Sequence, residues 1–222
     1  MRVSLIILFS LWPLLALADA GSLFASARGP LVALTAPVQD SSDGASLFSG
    51  ASSGLFAPRS PFSQDAVTHV RNIIGQAEAP YAGYDAVQHG ARIKPPKLPT
   101  QMSLAEIFAW IDATPGQPHA IGRYQFIPET LRRVATQAGA RADDRFTPAL
   151  QDRLADVLLA DAGFAAFLAG EMTQKDFMNN LAAIWAGLPT SNGLSRYHGI
   201  AGNRATITLA YFRSEIAKIA PG

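Results

Sequence analysis

The stretch Asp65-Ala-Val-Thr-His-Val-Arg-Asn-Ile-Ile-Gly-Gln-Ala-Glu78 reads as an amphipathic helix, and its ending decides how the rest of the chain is read. Ala79-Pro80 follows at once. Proline cannot continue a helix, so this one should stop at Glu78. An aromatic, glycine-containing turn comes next, Tyr81-Ala-Gly-Tyr-Asp85. A carboxylate at an apolar helix end, facing a wet aromatic loop, sits where its pKa can rise. That is the requirement for a general acid working near neutral pH.

Outward from Glu78, helix signals dominate. Ser103-Leu-Ala-Glu106 is a capping box, with Ser at the N-cap and Glu at N3, and it opens a helix from Leu104 to Ile111. Thr147-Pro148 supplies an N-cap and a first-turn proline for a helix from Pro148 to Ala162. Pro128 marks another helix start. Thr173 with Asp176 begins a helix through Trp185, which Gly187 and Pro189 should end. A last helix is expected from about Asn203 to Ile219. Strand signals are few. Residues 84–87 and Arg92-Ile93 predict one small β-hairpin across His89-Gly90, with the proline-rich 94–99 segment as loop or edge. The expected fold class is therefore α+β, mainly α, over residues 62–222.

The first twenty residues have Arg2, an apolar run from Val3 to Leu17 and the ending Ala18-Asp19-Ala20. Those three parts make a cleaved secretory signal peptide, 1–20. The run falls short of the roughly 20 apolar residues of a spanning helix, and Pro13 interrupts it. No membrane association is expected after cleavage, and the mature protein should be periplasmic or secreted. Residues 21–61 are rich in Ser, Gly, Ala and Pro and read as a flexible linker. Its Phe24, Phe48 and Phe56 could instead anchor an envelope-assembly partner. The chain has no cysteine, hence no disulfide framework. A net charge of +1 is too balanced to argue for nucleic acid.

A second chemical segment is Ala120-Ile-Gly-Arg-Tyr-Gln-Phe-Ile-Pro-Glu-Thr-Leu131. Gly122 permits close backbone approach, while Tyr124 and Gln125 offer a ring and an amide that suit a sugar with an acetamido group. On composition alone, Tyr124 and Phe126 read equally as core, and Arg123 as a solvated charge. The order of elements adds to this. Glu78, Gly83-Tyr84-Asp85, Gly122-Arg123-Tyr124-Gln125 and Ile184-Trp-Ala-Gly-Leu-Pro189 occur in series. That series resembles the lysozyme-like superfamily of peptidoglycan-cleaving enzymes, most closely the phage-lambda-type endolysins, and more loosely the soluble lytic transglycosylases. Ala79 departs from the small polar residue usual there, and the loop between Glu78 and Gly83 is shorter than in the phage enzymes.

The resemblance implies a lysozyme-like domain acting on peptidoglycan glycan strands, with Glu78 catalytic. Tyr84, Asp85, Arg123, Tyr124, Gln125, Trp185 and Tyr197 are the expected substrate-binding residues. Tyr197, in Ser195-Arg-Tyr-His-Gly199, reads also as an ordinary loop aromatic. Glycosidases commonly use two carboxylates. Asp85 is the candidate for a second, as in a hydrolytic lysozyme, though it could equally bond backbone N–H groups of the turn. Glu106 is committed to its capping box, and Asp112 reads as a turn residue. Without a firm second carboxylate, the implied outcome is that of a lytic transglycosylase, a 1,6-anhydro product. A glycan-binding scaffold without catalysis is the rival from another class. No cofactor is expected. The four histidines lack metal-ligand spacing, and no nucleophile elbow or nucleotide-binding glycine pattern occurs.

Overall fold

The computed structural model describes residues 64–200 and 202–220. The expected signal peptide and linker lie outside them. Among the described residues the fold is mainly helical: α1 Gln64–Glu78, α2 Leu104–Ala113, α3 Pro128–Gln137, α4 Pro148–Asp161, α5 Phe164–Leu168, α6 Gln174–Ile184 and α7 Leu209–Ala217. Two single 3₁₀ turns, Gly83–Asp85 and Pro99–Gln101, lie between α1 and α2. No helix among the described residues is long and apolar enough to cross a membrane.

The core forms where helical spacing places apolar side chains on one face. In α1, Val67, Val70, Ile74 and Ala77 are buried, and the helix packs against α4 and α7. α4 contributes Leu154, Leu158 and Leu159, and α7 contributes Phe212 and Ile216. The short α5 is fixed to α6 by stacked rings, with Phe167 and Phe177 centroids 4.6 Å apart. Beside this apolar core runs a polar seam. Arg71 of α1 pairs with Asp156 and, at 3.5 Å, with Asp152, both on α4.

Helix starts follow the capping residues. Ser103 Oγ accepts from Glu106 N at 3.2 Å, and Glu106 Oε2 accepts from Ser103 N at 2.9 Å. Thr147, Thr173 and Thr208 each accept a backbone N–H of the first turn of their helices. Here lies one correction. α7 begins at Leu209 rather than near Asn203, because Thr206 is held elsewhere: its N–H donates to Gly187 O at 2.9 Å and its hydroxyl to Ala77 O at 2.6 Å.

A second correction concerns the expected hairpin. Tyr84 and Asp85 lie in a 3₁₀ turn, and Val87 bridges to Ile121, not to residues 92–93. Gln88 N donates to Ala120 O and Gly122 N to Ala86 O. On the far side, Ile93 has its backbone groups engaged elsewhere. Ile93 N donates to Gln117, and Ile93 O accepts from Trp110 Nε1 and Gln117 Nε2. What β structure the described residues hold is a set of isolated bridges, including Ile121 to Phe126, which closes the turn carrying Gly122 to Gln125.

Candidate functional site

Glu78 is the last residue of α1 and is half-buried. Its Oε1 accepts a hydrogen bond from Gly187 N at 2.8 Å. Burial raises its pKa from 4.5 to about 7, against the opposing effect of the Gly187 bond. Its place at a helix C-terminus works in the raising direction as well, since aligned peptide dipoles disfavour an anion there. Near neutral pH the carboxyl therefore exists in both forms, as an acid that must also act as a base requires.

Three segments hold that carboxyl. Thr206 bonds Ala77 O and Gly187 O together, closing the end of α1 onto the loop after α6. Gly187 is required by close approach. A Cβ there would stand 2.7 Å from Ala77 O and 3.0 Å from both Glu78 Oε1 and Thr206 Oγ1.

In front of Glu78 lies a cleft of about 620 Å³, lined among others by Gln88, Gln125, Tyr197, Asn203 and Arg204. Glu78 is the one acidic side chain lining it among the described residues. Gln125, Ile127, Ile184, Trp185 and Tyr197 also line an adjoining depression of about 490 Å³, which extends the concave surface next to the Glu78 cleft. The acidic residue of that extension, Asp161, is paired with Arg133 at 2.8 Å.

Gln125 is the single non-glycine residue with positive φ among the described residues, at 45°. Such backbone strain costs about 1–3 kcal/mol and gathers at functional sites. Its Nε2 donates to Gly122 O at 2.9 Å, which keeps the amide over its own turn. Tyr197 is fixed by its hydroxyl, which donates to Ala183 O. Trp185 is 3% exposed and donates Nε1–H to Tyr124 O, so it forms the floor of the groove and not a free stacking wall.

None of the remaining expected residues lines the Glu78 cleft itself, and Tyr124 meets only the adjoining depression. Tyr124 is 1% exposed, and its hydroxyl donates to Asp152 Oδ1 at 2.6 Å, so this ring belongs to the core. Burial pushes its ionisation far up. Tyr84 donates to the same oxygen at 2.9 Å. Tyr84, Asp85 and Arg123 line a separate groove that shares no lining residue with the Glu78 cleft. Asp85 Oδ1 accepts from Thr100 N at 2.9 Å, which is the backbone-bonding alternative. In this arrangement Asp85 is not beside Glu78 as a second carboxylate.

Several residues that shape the site gave no signal in the sequence. Gln151 is fully buried, accepts from Arg123 N and donates to Tyr84 O and Phe146 O, tying the two turns to α4. Asp152 gathers both tyrosine hydroxyls, and Thr206 reaches Ala77 across 129 positions. Of the groups that clamp Glu78, only Gly187 carries a sequence signal, as part of the Gly187-Leu-Pro helix stop. Of the histidines, His89 lines the Glu78 cleft, while His119 is buried 2.8 Å from Thr114 Oγ1. No protein-family model, curated protein or solved structure matches the chain.

Proposed function

We propose that the chain is a peptidoglycan lytic transglycosylase with a lysozyme-like domain, acting outside the cytoplasmic membrane on the bond between N-acetylmuramic acid and N-acetylglucosamine. The observation that carries this reading is a lone half-buried carboxyl, raised to about 7, on an open groove. Neutral Glu78 donates its proton to the glycosidic oxygen as the bond from that oxygen to the anomeric carbon breaks. The substrate's own acetamido oxygen supports the positive charge at that carbon. The Glu78 carboxylate, steadied by Gly187 N–H, then takes the proton of the C6 hydroxyl as that oxygen attacks the anomeric carbon. A 1,6-anhydro end forms and Glu78 is neutral again. Proton transfer of this kind contributes about 10²–10⁴ in rate. Gln125, Tyr197 and Asn203 are the groove's candidates for the acetamido and ring contacts.

A hydrolytic mechanism would need a second carboxylate to hold water or attack the sugar. Asp85, the candidate for it, faces the other groove. Incubation of the mature protein with purified sacculi, followed by mass spectrometry, separates the outcomes. Anhydro-muropeptides support the proposal, and reducing ends alone overturn it in favour of hydrolysis. Binding without any product, sustained over long incubation, would leave a glycan-binding scaffold. The Glu78→Gln variant should bind strands and release nothing.

A further inference from the structure

The second groove, about 680 Å³, is bounded by the C-terminal half of α1, residues 79–85, Thr100 and Arg123. It begins one residue along the chain from Glu78, since Ala79 and Pro80 line it. Of the side chains that line it, only Arg123 and Asp85 are charged. Every ion pair among the described residues leaves both of them out.

Each is nevertheless held in place. The Arg123 guanidinium lies against α1 at Gly75, where a Cβ would stand 2.8 Å from its Cζ. Cζ is also 5.0 Å from the centre of the Tyr84 ring, a cation–π contact. Its side chain makes a single hydrogen bond, Nη2 to Asn72 Oδ1 at 2.8 Å, and its buried Nε has no partner among the described residues. The cation is thus positioned by packing and not by a counter-charge. Asp85 is fixed through one oxygen by Thr100 N. Tyr81, fully exposed, stands at the rim.

An oriented guanidinium without a carboxylate is a ready partner for one. A simple anion would meet Asp85 in the same groove, and a simple cation would meet Arg123. A neutral sugar could hydrogen-bond either group but would offset neither charge, whereas a zwitterion offsets both. We infer that this groove binds a zwitterionic amino-acid head, its carboxylate on Arg123 and its ammonium on Asp85, supplied by the peptide stems that peptidoglycan strands carry. The inference rests on the proposed substrate. It deepens that reading by giving the peptide, as well as the glycan, a place on the protein.

The test is calorimetric titration of the full chain with a free stem tripeptide ending in meso-diaminopimelate, and with the same tripeptide acetylated on its side-chain amine. The free tripeptide should bind, and acetylation should weaken it about tenfold or more, as should Arg123→Ala, because each removes one charge-assisted contact. Asp85→Asn keeps an oxygen for Thr100 N and so separates lost charge from lost fold; it too should weaken binding several-fold. Glu78→Gln should keep tripeptide affinity while losing cleavage, so a failure of the groove and a failure of the catalytic reading are told apart. Equal affinity for the acetylated peptide, or unchanged affinity in both Arg123→Ala and Asp85→Asn, overturns the inference.

Discussion

Replacing Glu78 by Gln should stabilise the protein, and only at higher pH. A carboxyl whose pKa is raised in the folded state holds its proton more tightly there than in the unfolded chain. Its contribution to stability is fully present below the unfolded value of 4.5 and is lost as pH rises through about 7. At ~1.4 kcal/mol for each tenfold change in the proton equilibrium, the difference between 4.5 and about 7 corresponds to about 3 kcal/mol. Above pH 7 the wild-type fold bears that cost, because a half-buried carboxylate has lost water and recovers one backbone N–H bond. The amide of Gln is neutral at every pH, has nearly the same shape, and offers an oxygen to Gly187 N. Thermal melts of both proteins between pH 4 and pH 9 should therefore coincide at the acid end, diverge from about pH 4.5 and keep a constant gap above about pH 7. For a domain of this size, about 3 kcal/mol corresponds to a gap of roughly 6–12 °C, with the variant higher. A gap that is the same at pH 5 and pH 9, or no gap at all, would refute burial of the Glu78 carboxyl as the cause of its raised pKa. The measurement needs no substrate, so it tests the site independently of the reaction.

The same ionisation sets the pH dependence of cleavage: the acid form must begin each turnover, so kcat/KM on sacculi should fall about tenfold per pH unit above about 7, and a rate still rising at pH 9 would contradict this. Gly187→Ala should cost about 1–3 kcal/mol in urea unfolding and lower activity with it, since the new methyl meets the Ala77 carbonyl, a backbone atom that cannot swing aside; a wild-type midpoint would show that the contact is looser than described. Gln125→Gly relieves a positive φ but loses the bond to Gly122 O and frees the unfolded chain, so these opposing effects should leave stability within about 1 kcal/mol while cleavage drops at least tenfold, and undiminished cleavage would remove Gln125 from the site.

Local chemistry made the helices legible and non-local bonding hid the rest. Ser103 with Glu106, Thr147 with Pro148, and Thr173 with Asp176 satisfy the orphan N–H groups of their own first turns, so a window of four residues contains the whole signal. The hairpin failed because Ile93 spends its backbone groups on Gln117 and Trp110, partners no local pattern reveals. The start of α7 failed because Thr206 is bonded to Ala77 and Gly187. The site divides in the same way. Glu78 at a helix end before Pro80 was visible as a carboxylate in a suggestive place, and Gln125 and Tyr197 stand in its groove. Tyr84 and Arg123 follow the same kinds of motif but line the other groove. Tyr124 faces inward because Asp152 accepts its hydroxyl. Sequence order could not show which of two neighbouring grooves a side chain would enter.

The Glu78 clamp also explains why a raised pKa and a rigid position occur together. Burial alone would raise the carboxyl's pKa further and favour its neutral form. A backbone N–H aimed at Oε1 favours the charged form and draws the pKa back towards neutrality. That donor is in place only because Gly187 has no side chain and because Thr206 ties its carbonyl to the end of α1. Two opposing effects, desolvation and one oriented N–H, thus leave a single group near its midpoint at neutral pH. A hydrolase with two carboxylates divides acid and base between them by giving each its own environment. Here one environment balances both forms on one residue, which is what the proposed transfer of a proton first to the glycosidic oxygen and then from the C6 hydroxyl demands.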